Sequence, residues 1–358
     1  MALQALKTEF WSQEMFVPVV DKNNRPLMPT KIRRAKRWVA SGKATFFWKT
    51  HMLCVRLNVE PSDDKKQSIA LGIDPGSKRE GYTVKSKAHT YANPLSSTVD
   101  WVKKAMEVRR NMRRARRWRN CKRRPERFDN RHRSRLPPST KARWQLKLNV
   151  CKKLLKLYAI TDFIIEDIKA RTHKGIDKRN VSFSPLEVGK KWFYAEISKL
   201  GNLIVKQGYE TKELRDLSGL KKISNKLSSS FYSHNIDSWV LSNSVVGGHT
   251  VPENERVILI TPLQFHRRQL HAFQPDVGGK RRPYGGTKSL DFKRGSLVKH
   301  KKYGVVYVGG TMGDKISVHD IRTGKRISQN VKICDCKFLA FNSIRVNAIV
   351  SSTGVETP

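Results

Sequence analysis

The sequence predicts a mixed α/β fold whose central sheet is interrupted by an arginine-rich helix. Two apolar runs, Ile69–Ile73 and Phe163–Ile165, are typical of strands that are buried on both faces of a sheet. The segment Lys141–Tyr158 has the spacing of an amphipathic helix. About the last 90 residues contain glycines and short alternating runs, which favours a small β-rich domain.

Composition narrows the class of protein. The 358 residues are 38% hydrophobic, so the chain can form packed cores, and its length fits two or three compact units. The five cysteines are odd in number and scattered, unlike a disulfide framework. No apolar run approaches the roughly 18–20 residues of a membrane span, and the start of the chain lacks the apolar stretch of a signal peptide. We therefore expect a protein of the reducing cytoplasm with no membrane partner.

Charge is the strongest signal in the composition. Lys and Arg number 72 against 30 Asp and Glu, a formal net charge of +42. Such a surplus repels itself unless a polyanion neutralises it. The basic residues are spread through segments with core-like patterning, so they are not a solvated tail, and no helix pairs a basic face with a clean apolar one as membrane-surface helices do. The sequence therefore predicts nucleic-acid binding.

Residues 1–52 are predicted to form a small basic unit. The segment Asn23–Pro29 has the composition of a turn. Thr30 follows as an N-cap candidate for a helix over Lys31–Ala40. This helix supplies three candidate nucleic-acid contacts: Arg33, Arg34 and Arg37.

The arginine-rich segment is predicted to be a helix that packs into no core. Few helix breakers interrupt Trp101–Arg124, although like charges repel at i,i+4. Basic side chains lie on all sides of such a helix, which suits a rod surrounded by phosphates. The candidate contacts are Arg109, Arg110, Arg113, Arg114, Arg116, Arg117 and Arg119.

Shorter patterns complete the predicted elements. In the first half, Asp74–Ser77 is a turn, and Gly81–Val84 and His89–Ala92 are strands. In the second half, the predicted elements are a helix near Lys191–Leu200, a strand at Leu203–Val205, a helix over Ser233–Val246 and a strand over Val257–Leu263.

Three acidic residues form a candidate metal site. Asp74 ends the first buried strand and Glu166 the second, while His234 and Asp237 share one face of a predicted helix at i,i+3. Carboxylates in these places can meet at one sheet edge. There they would hold two Mg²⁺ ions about 3.5–4 Å apart against a phosphodiester, with Mn²⁺ as an alternative ion. His234 would position or deprotonate the attacking water.

Each motif also has a plain structural interpretation. Asp before Pro-Gly is a common turn residue, Glu166 can be an exposed strand end, and His234 and Asp237 can be a solvated pair. Cys334 and Cys336 have two interpretations, as half of a zinc site or as structural cysteines. Trp118 and Trp144 also have two interpretations, as side chains that stack on bases or as core residues. The order of the three acidic motifs around an arginine-rich helix favours the site.

These motifs together resemble a known family. The segment Gly72–Ser77 resembles the first RuvC motif, Ile164–Asp167 the second and His234–Asp237 the third. The arginine-rich stretch resembles the bridge helix of RNA-guided nucleases. Pro26–Met28 with the following proline resembles the signature of the PLMP domain of IscB and IsrB proteins, the transposon-encoded relatives of the CRISPR type II effectors.

The spacing of the motifs favours the IsrB branch. IscB proteins carry an HNH nuclease domain between the second and third RuvC motifs. Here about 70 residues separate Glu166 from Asp237, and before His234 they contain one histidine, His173, and no cysteine. A metal site of the HNH kind needs clustered ligands that this interval lacks.

The resemblance implies an RNase H-like RuvC core split by the bridge helix, between a PLMP domain and a β-rich domain. The implied boundaries are residues 1–52 for the PLMP domain, 53–95 for the first RuvC part, 96–140 for the bridge helix, 141–255 for the second and third RuvC parts and 256–358 for the β-rich domain that contacts RNA and the target-adjacent motif.

The implied activity is that of an RNA-guided nickase. The protein would bind a guide ωRNA, open double-stranded target DNA beside a short motif and cut the non-target strand with a Mg²⁺-dependent RuvC centre. Asp74, Glu166 and Asp237 would be the metal ligands and His234 a further catalytic residue. The implied state is a monomeric ribonucleoprotein in a prokaryotic cytoplasm, associated with the nucleoid. The alternatives are a non-catalytic RNA-binding or guided DNA-binding protein on the same fold and a junction resolvase.

Overall fold

The structure, a computed structural model, describes most of the chain. The described residues are 16–49, 52–61, 66–99, 101–118, 136, 138–169, 185–225, 227–262, 273–274, 279–280, 288–321, 323–341 and 344–350. The chain divides into two compact units, Met1–Ile260 with Ala348–Pro358, and Thr261–Asn347. The domain boundaries of the sequence analysis stay a prediction.

The first unit begins with short strands around one helix. The elements are β1 (Phe16–Val17), β2 (Val19–Val20), β3 (Thr30–Lys31), α1 (Ile32–Ala40), β4 (Ala44–Lys49) and β5 (Met52–Leu57). Strand β1 pairs with β3, and β5 lies between β2 and β4. Ile32 and Ala35 of α1 are buried against valines of these strands. The opposite side of α1 carries Arg33, Arg34 and Arg37, all exposed.

A seven-stranded mixed sheet lies mainly in the first unit. Its strands are β6 (Ile69–Asp74), β7 (Arg79–Ser86), β8 (Thr90–Ser97), β9 (Asp162–Asp167), β10 (Asn202–Gln207), β11 (Val257–Pro262) and β21 (Ile344–Val350). Their order is β10-β9-β6-β7-β8-β11-β21. Strands β6, β7 and β8 form an antiparallel meander, and β9 and β10 extend it in parallel beside β6.

This topology is that of an RNase H-like core, so the predicted fold class is confirmed. The runs Ile69–Ile73 and Phe163–Ile165 are buried central strands, because β6 and β9 have neighbours on both sides. The apolar patterns of both segments thus reflect burial on both faces of the sheet.

Five further helices accompany the sheet in the described part of the chain. They are α2 (Trp101–Trp118), α3 (Pro138–Leu155), α4 (Pro185–Ile197), α5 (Gly208–Leu217) and α6 (Phe231–Val246). Helix α3 packs on α4, and α6 packs on β6 and β7. Trp144 of α3 is buried against Phe193 of α4, with 5.3 Å between ring centroids, so it is a core residue. None of the helices in the described part of the chain has the length and apolar character needed to cross a bilayer.

In the arginine-rich helix α2, every described side chain after the first two residues is exposed. Arg109, Arg110, Arg113, Arg114 and Arg117 are among its exposed residues. Trp118 is 89% exposed, so its interpretation as a core residue was wrong: it sits among arginines that no core can bury. Arg116 lies in the helix, and Arg119 lies outside the described residues.

The second unit is built of strands. Its elements are β12 (Phe273–Gln274), β13 (Gly279–Lys280), β14 (Lys288–Ser289), β15 (Phe292–Lys293), β16 (Ser296–His300), β17 (Gly304–Met312), β18 (Lys315–His319), β19 (Arg326–Lys332) and β20 (Cys336–Phe341). The last five form an antiparallel sheet in the order β19-β18-β17-β16-β20 around a core that includes Val298, Val306 and Val318.

Candidate active site

Two of the three acidic residues lie at the ends of neighbouring parallel strands: Asp74 is the last residue of β6, and Glu166 is the last but one of β9. Ile73 of β6 pairs with Ile165 of β9, so Asp74 and Glu166 follow at the same edge of the sheet. Parallel strands run in the same direction, so their last residues lie at the same edge of the sheet. The structure therefore brings together residues that are 92 positions apart in the sequence.

Helix α6 brings the third acid to this edge because two glycines let it approach the sheet closely. A Cβ at Gly72 of β6 would overlap the carbonyl oxygen of Ser238, and one at Gly81 of β7 would overlap that of His234. Backbone of the helix thus lies directly on backbone of the strands, where only glycine fits. Asp237, between those two contacts in the sequence, is held beside Asp74.

Buried polar side chains of α6 fix its position on the sheet. The Ser242 hydroxyl accepts a hydrogen bond from the Gly72 N–H (2.7 Å) and donates one to the Thr83 carbonyl (3.0 Å). The Asn235 amide donates to the carbonyls of Tyr82 and Pro94, at 2.9 and 3.0 Å. These bonds set the axial position and rotation of the helix, since each partner is a fixed backbone group.

The three carboxylates form one cluster. Asp74, Glu166 and Asp237 each offer one oxygen, and these oxygens lie within 4.8 Å of one another. The side chains of Asp74 and Asp237 are 14% and 5% exposed. In a chain with a large excess of basic residues, this is a local concentration of negative charge that is partly withdrawn from water.

Among the residues that the structure describes, two basic side chains that no sequence motif singled out contact the cluster. The Arg215 guanidinium of α5 donates to Asp237 Oδ1 at 2.5 Å. The Lys222 ammonium lies 2.5 Å from Asp237 Oδ2 and 3.4 Å from Asp74 Oδ2. The sequence held no signal for either one, because any single basic residue is unremarkable among 72 Lys and Arg.

Burial and neighbouring charges shift the pKa values of three side chains at the cluster. Burial, followed by repulsion from the Asp74 and Asp237 carboxylates, raises the pKa of Glu166 to about 7. Burial also raises the pKa of Asp74, although the Lys222 ammonium opposes this increase. Burial lowers the pKa of Lys222, but the carboxylates outweigh it, so this pKa is raised overall. Glu166 and Asp74 are therefore protonated more easily than free carboxyl groups, because burial and the neighbouring carboxylates disfavour their charged forms.

The donor set fits a divalent cation of the hard type. All three side chains are carboxylates, the oxygen ligands that Mg²⁺ and Mn²⁺ prefer. They lie on three elements that the sheet and α6 hold in place, and their mutual repulsion is relieved when a cation enters. Asp74, Glu166 and Asp237 are the residues that would hold it.

The structure places His234 one turn before Asp237, half-buried, with its carbonyl oxygen against Gly81. Within the described residues, the cluster with metal-ligand spacing contains the three acids but not His234. That cluster also omits Cys334 and Cys336, which are free cysteines of the second unit. A catalytic role for His234 stays a prediction.

A hydrogen-bond network fixes the backbone beside Glu166. Asp167 Oδ1 accepts from Tyr194 (3.0 Å) and from Lys190 (2.8 Å), both on α4, and Oδ2 accepts from Gln207 (3.2 Å) at the end of β10. Asp167 thus connects the end of β9 to a helix and to the neighbouring strand. This network restricts the orientation of the adjacent Glu166.

The fold and the site define an RNase H-like α/β protein with a carboxylate cluster at the sheet edge. A family model described as RRXRR protein matches residues 17–183 of the chain. The matched range includes Arg113-Arg114-Ala115-Arg116-Arg117, which has the pattern of that description. The comparison with curated proteins found no match.

Solved structures similar to this chain include two that cover about half of it. One is T. thermophilus RuvC in complex with a Holliday junction substrate, with 12% identity and a TM-score of 0.29, covering 51% of this chain and 97% of that chain. The other is the yeast mitochondrial Holliday junction resolvase Ydc2, with 14% identity and a TM-score of 0.26, covering 53% of this chain and 80% of that chain.

Proposed function

We propose that this protein is an RNA-guided DNA endonuclease of the nickase type. A guide ωRNA would select the target by base pairing beside a short adjacent motif, and the protein would cut the displaced non-target strand. The exposed arginines of α1 and α2 would contact the phosphates of the guide and of its hybrid with DNA. The active form would be a monomeric ribonucleoprotein.

The cluster of Asp74, Glu166 and Asp237 is the observation that carries the nuclease proposal. Divalent cations bound by these residues, Mg²⁺ in the first instance, would activate water and stabilise negative charge on the phosphate. The chain itself aligns the ligands: β6 and β9 set two carboxylates at one edge, and α6 sets the third. His234 would hold or accept a proton at an imidazole nitrogen near that edge.

The cluster also favours an active enzyme over a non-catalytic binding protein. Three carboxylates that repel one another reduce stability unless a cation compensates them. A protein that only binds RNA or guided DNA gains nothing from this arrangement. The basic surface, by contrast, suits both functions equally.

Asp74→Asn tests the proposal. The amide keeps the size of the side chain and removes one charged ligand, so we expect cleavage of the non-target strand to fall at least about 100-fold, while guide-dependent DNA binding remains. The measurement is Mg²⁺-dependent nicking of target DNA by the protein with its copurified RNA, alongside a binding assay in EDTA. Asp216→Asn, at an exposed position of α5, makes the same change in charge away from the cluster and should cleave normally.

Each alternative predicts a different result. Cleavage that survives Asp74→Asn would contradict a role for this centre, and an inactive wild-type complex that still binds target DNA would support the non-catalytic function. Cleavage of branched DNA without any RNA would support a junction resolvase. Copurification of a long structured RNA supports guidance, and its absence opposes it.

A further inference from the structure

The two basic residues at the carboxylate cluster differ in how easily they can leave it. Arg215 lies on α5, its side chain is 15% exposed, and it contacts only Asp237 within the cluster. Lys222 lies between α5 and α6 in a segment without helix or strand, and its side chain is 33% exposed. A lysine side chain in this setting can move into solvent, because its ammonium is on a long rotatable chain.

Lys222 also contacts two of the three acids. Its ammonium bridges Asp74, at the end of β6, and Asp237, on α6, so it neutralises carboxylates from two separate elements. These two carboxylates belong to the set of three that would hold a divalent cation at this centre. Occupation by Lys222 and occupation by a cation therefore compete.

We propose that Lys222 is the internal counter-ion of the carboxylate cluster. Its ammonium holds Asp74 and Asp237 together in the cation-free protein, and an incoming divalent cation displaces it. The inference rests on the proposed cation site. It makes Lys222 a positioning residue that acts through the two aspartates.

Removing the charge of Lys222 then has two effects of opposite sign. Without a cation, Asp74 and Asp237 repel each other with less compensation, so the protein unfolds more easily. With a cation, one competing positive charge is gone, so the cation binds more tightly. A lysine that only supported the structure would not produce these two opposite effects, because its loss would lower both the stability of the fold and the affinity for the cation.

The experiment compares Lys222→Gln with wild type, using the full chain freed of nucleic acid at high salt. In EDTA we expect the melting temperature of Lys222→Gln to fall by about 2–4 °C. In a calorimetric titration with Mn²⁺ alone, we expect its affinity to rise on the order of threefold to tenfold. Only the binding that Asp74→Asn removes is assigned to the cluster.

Two control variants separate the contact from general charge effects. Lys222→Arg keeps the positive charge and should resemble wild type in both measurements. Lys221→Gln removes a charge at the exposed neighbouring position, and its Mn²⁺ affinity should change by less than about twofold.

Unchanged values for Lys222→Gln, or a fall in both stability and Mn²⁺ affinity, would overturn the inference. If wild type shows no Mn²⁺ binding that depends on Asp74, the cation site itself is absent and the inference fails with it. If Mn²⁺ binds as expected but the complex with RNA cuts no DNA, the nuclease proposal fails while the role of Lys222 stands.

Discussion

At the scale of single residues, the geometry of the site depends on the absence of a side chain. Gly72 lies two residues before Asp74 and directly under Ser238, the neighbour of Asp237. Its N–H also donates to the Ser242 hydroxyl. One glycine therefore sets the distance between the strand and the helix that carry two of the acids.

We expect Gly72→Ala to move α6 away from β6. The new methyl group would overlap the Ser238 carbonyl and the Ser242 hydroxyl, which should cost about 1–3 kcal/mol of the free energy of unfolding. A displacement near 1 Å between Asp74 and Asp237 should lower the cleavage rate about 100-fold. Urea unfolding and single-turnover cleavage measure the two effects.

Gly310→Ala is the matched control for this prediction. A Cβ there has Arg294 Nη2 at 3.9 Å as its nearest neighbour, so the substitution should change neither stability nor cleavage substantially. If Gly72→Ala behaves like Gly310→Ala, the close approach of α6 does not position the site.

At the scale of elements, a buried ion pair attaches helix α3 to the central sheet. Glu80 of β7 and Lys147 of α3 are in contact, with 1% and 8% of their side chains exposed. Tyr82 donates a hydrogen bond to the second oxygen of Glu80 at 2.9 Å, and the Lys147 ammonium lies 4.9 Å from the centre of the Trp144 ring. Helix α3 is the first helix after α2 in the described part of the chain, and this ion pair holds it against β7 of the central sheet.

Removing one partner of this ion pair should lower the free energy of unfolding more than replacing both partners. Lys147→Met leaves the Glu80 carboxylate buried without its counter-ion, which should cost about 3–5 kcal/mol of the free energy of unfolding. Adding Glu80→Gln removes the uncompensated charge, so the double variant should be more stable than Lys147→Met alone. Urea unfolding of both single variants and the double variant measures the coupling, and simple additivity of the losses contradicts the assignment.

At the scale of the whole molecule, the net charge is +42, and two of the described helices carry arginines on surfaces that no core uses. Helix α1 buries Ile32 and Ala35 and exposes its arginines, whereas α2 is exposed on all sides after its start. Phosphate contacts from such surfaces supply affinity without selecting a base sequence, and their strength falls with salt.

Replacing Arg33, Arg34 and Arg37 together by Gln should weaken nucleic-acid binding and its salt dependence. If all three contact phosphates, the slope of log K against log salt should decrease in magnitude by about 2–3. Binding titrations with the guide RNA between low and high salt measure the slope. The triple change to Lys keeps the charge and should keep the slope. If the slope of the Gln variant is unchanged, these three residues do not contact phosphates of the RNA.

Much of the fold and part of the candidate site could be predicted from local patterns. Continuous apolar runs marked β6 and β9 because a strand that is buried on both faces has no polar side. Asp74 and Glu166 stood out because each follows such a run in a chain where acids are scarce. Helix α2 was predictable because few helix breakers interrupt its segment, and its exposure was predictable because its charges leave no apolar stripe.

The sequence by itself determined the mixed α/β character, the basic character of the molecule and the identity of three candidate ligands, since these follow from local periodicity, composition and the places of the acids. The RNase H-like class was implied by the resemblance of the motifs to a known family. Only the tertiary structure decided that β6, β9 and α6 bring the acids within 4.8 Å, and that Arg215 and Lys222 contact two of them. Trp118 and Trp144 show the same division: both stand in basic helical segments, yet one is exposed and the other buried. The physical reason is that contacts between distant segments depend on strand order and on helix-to-sheet distance, and a linear pattern records neither.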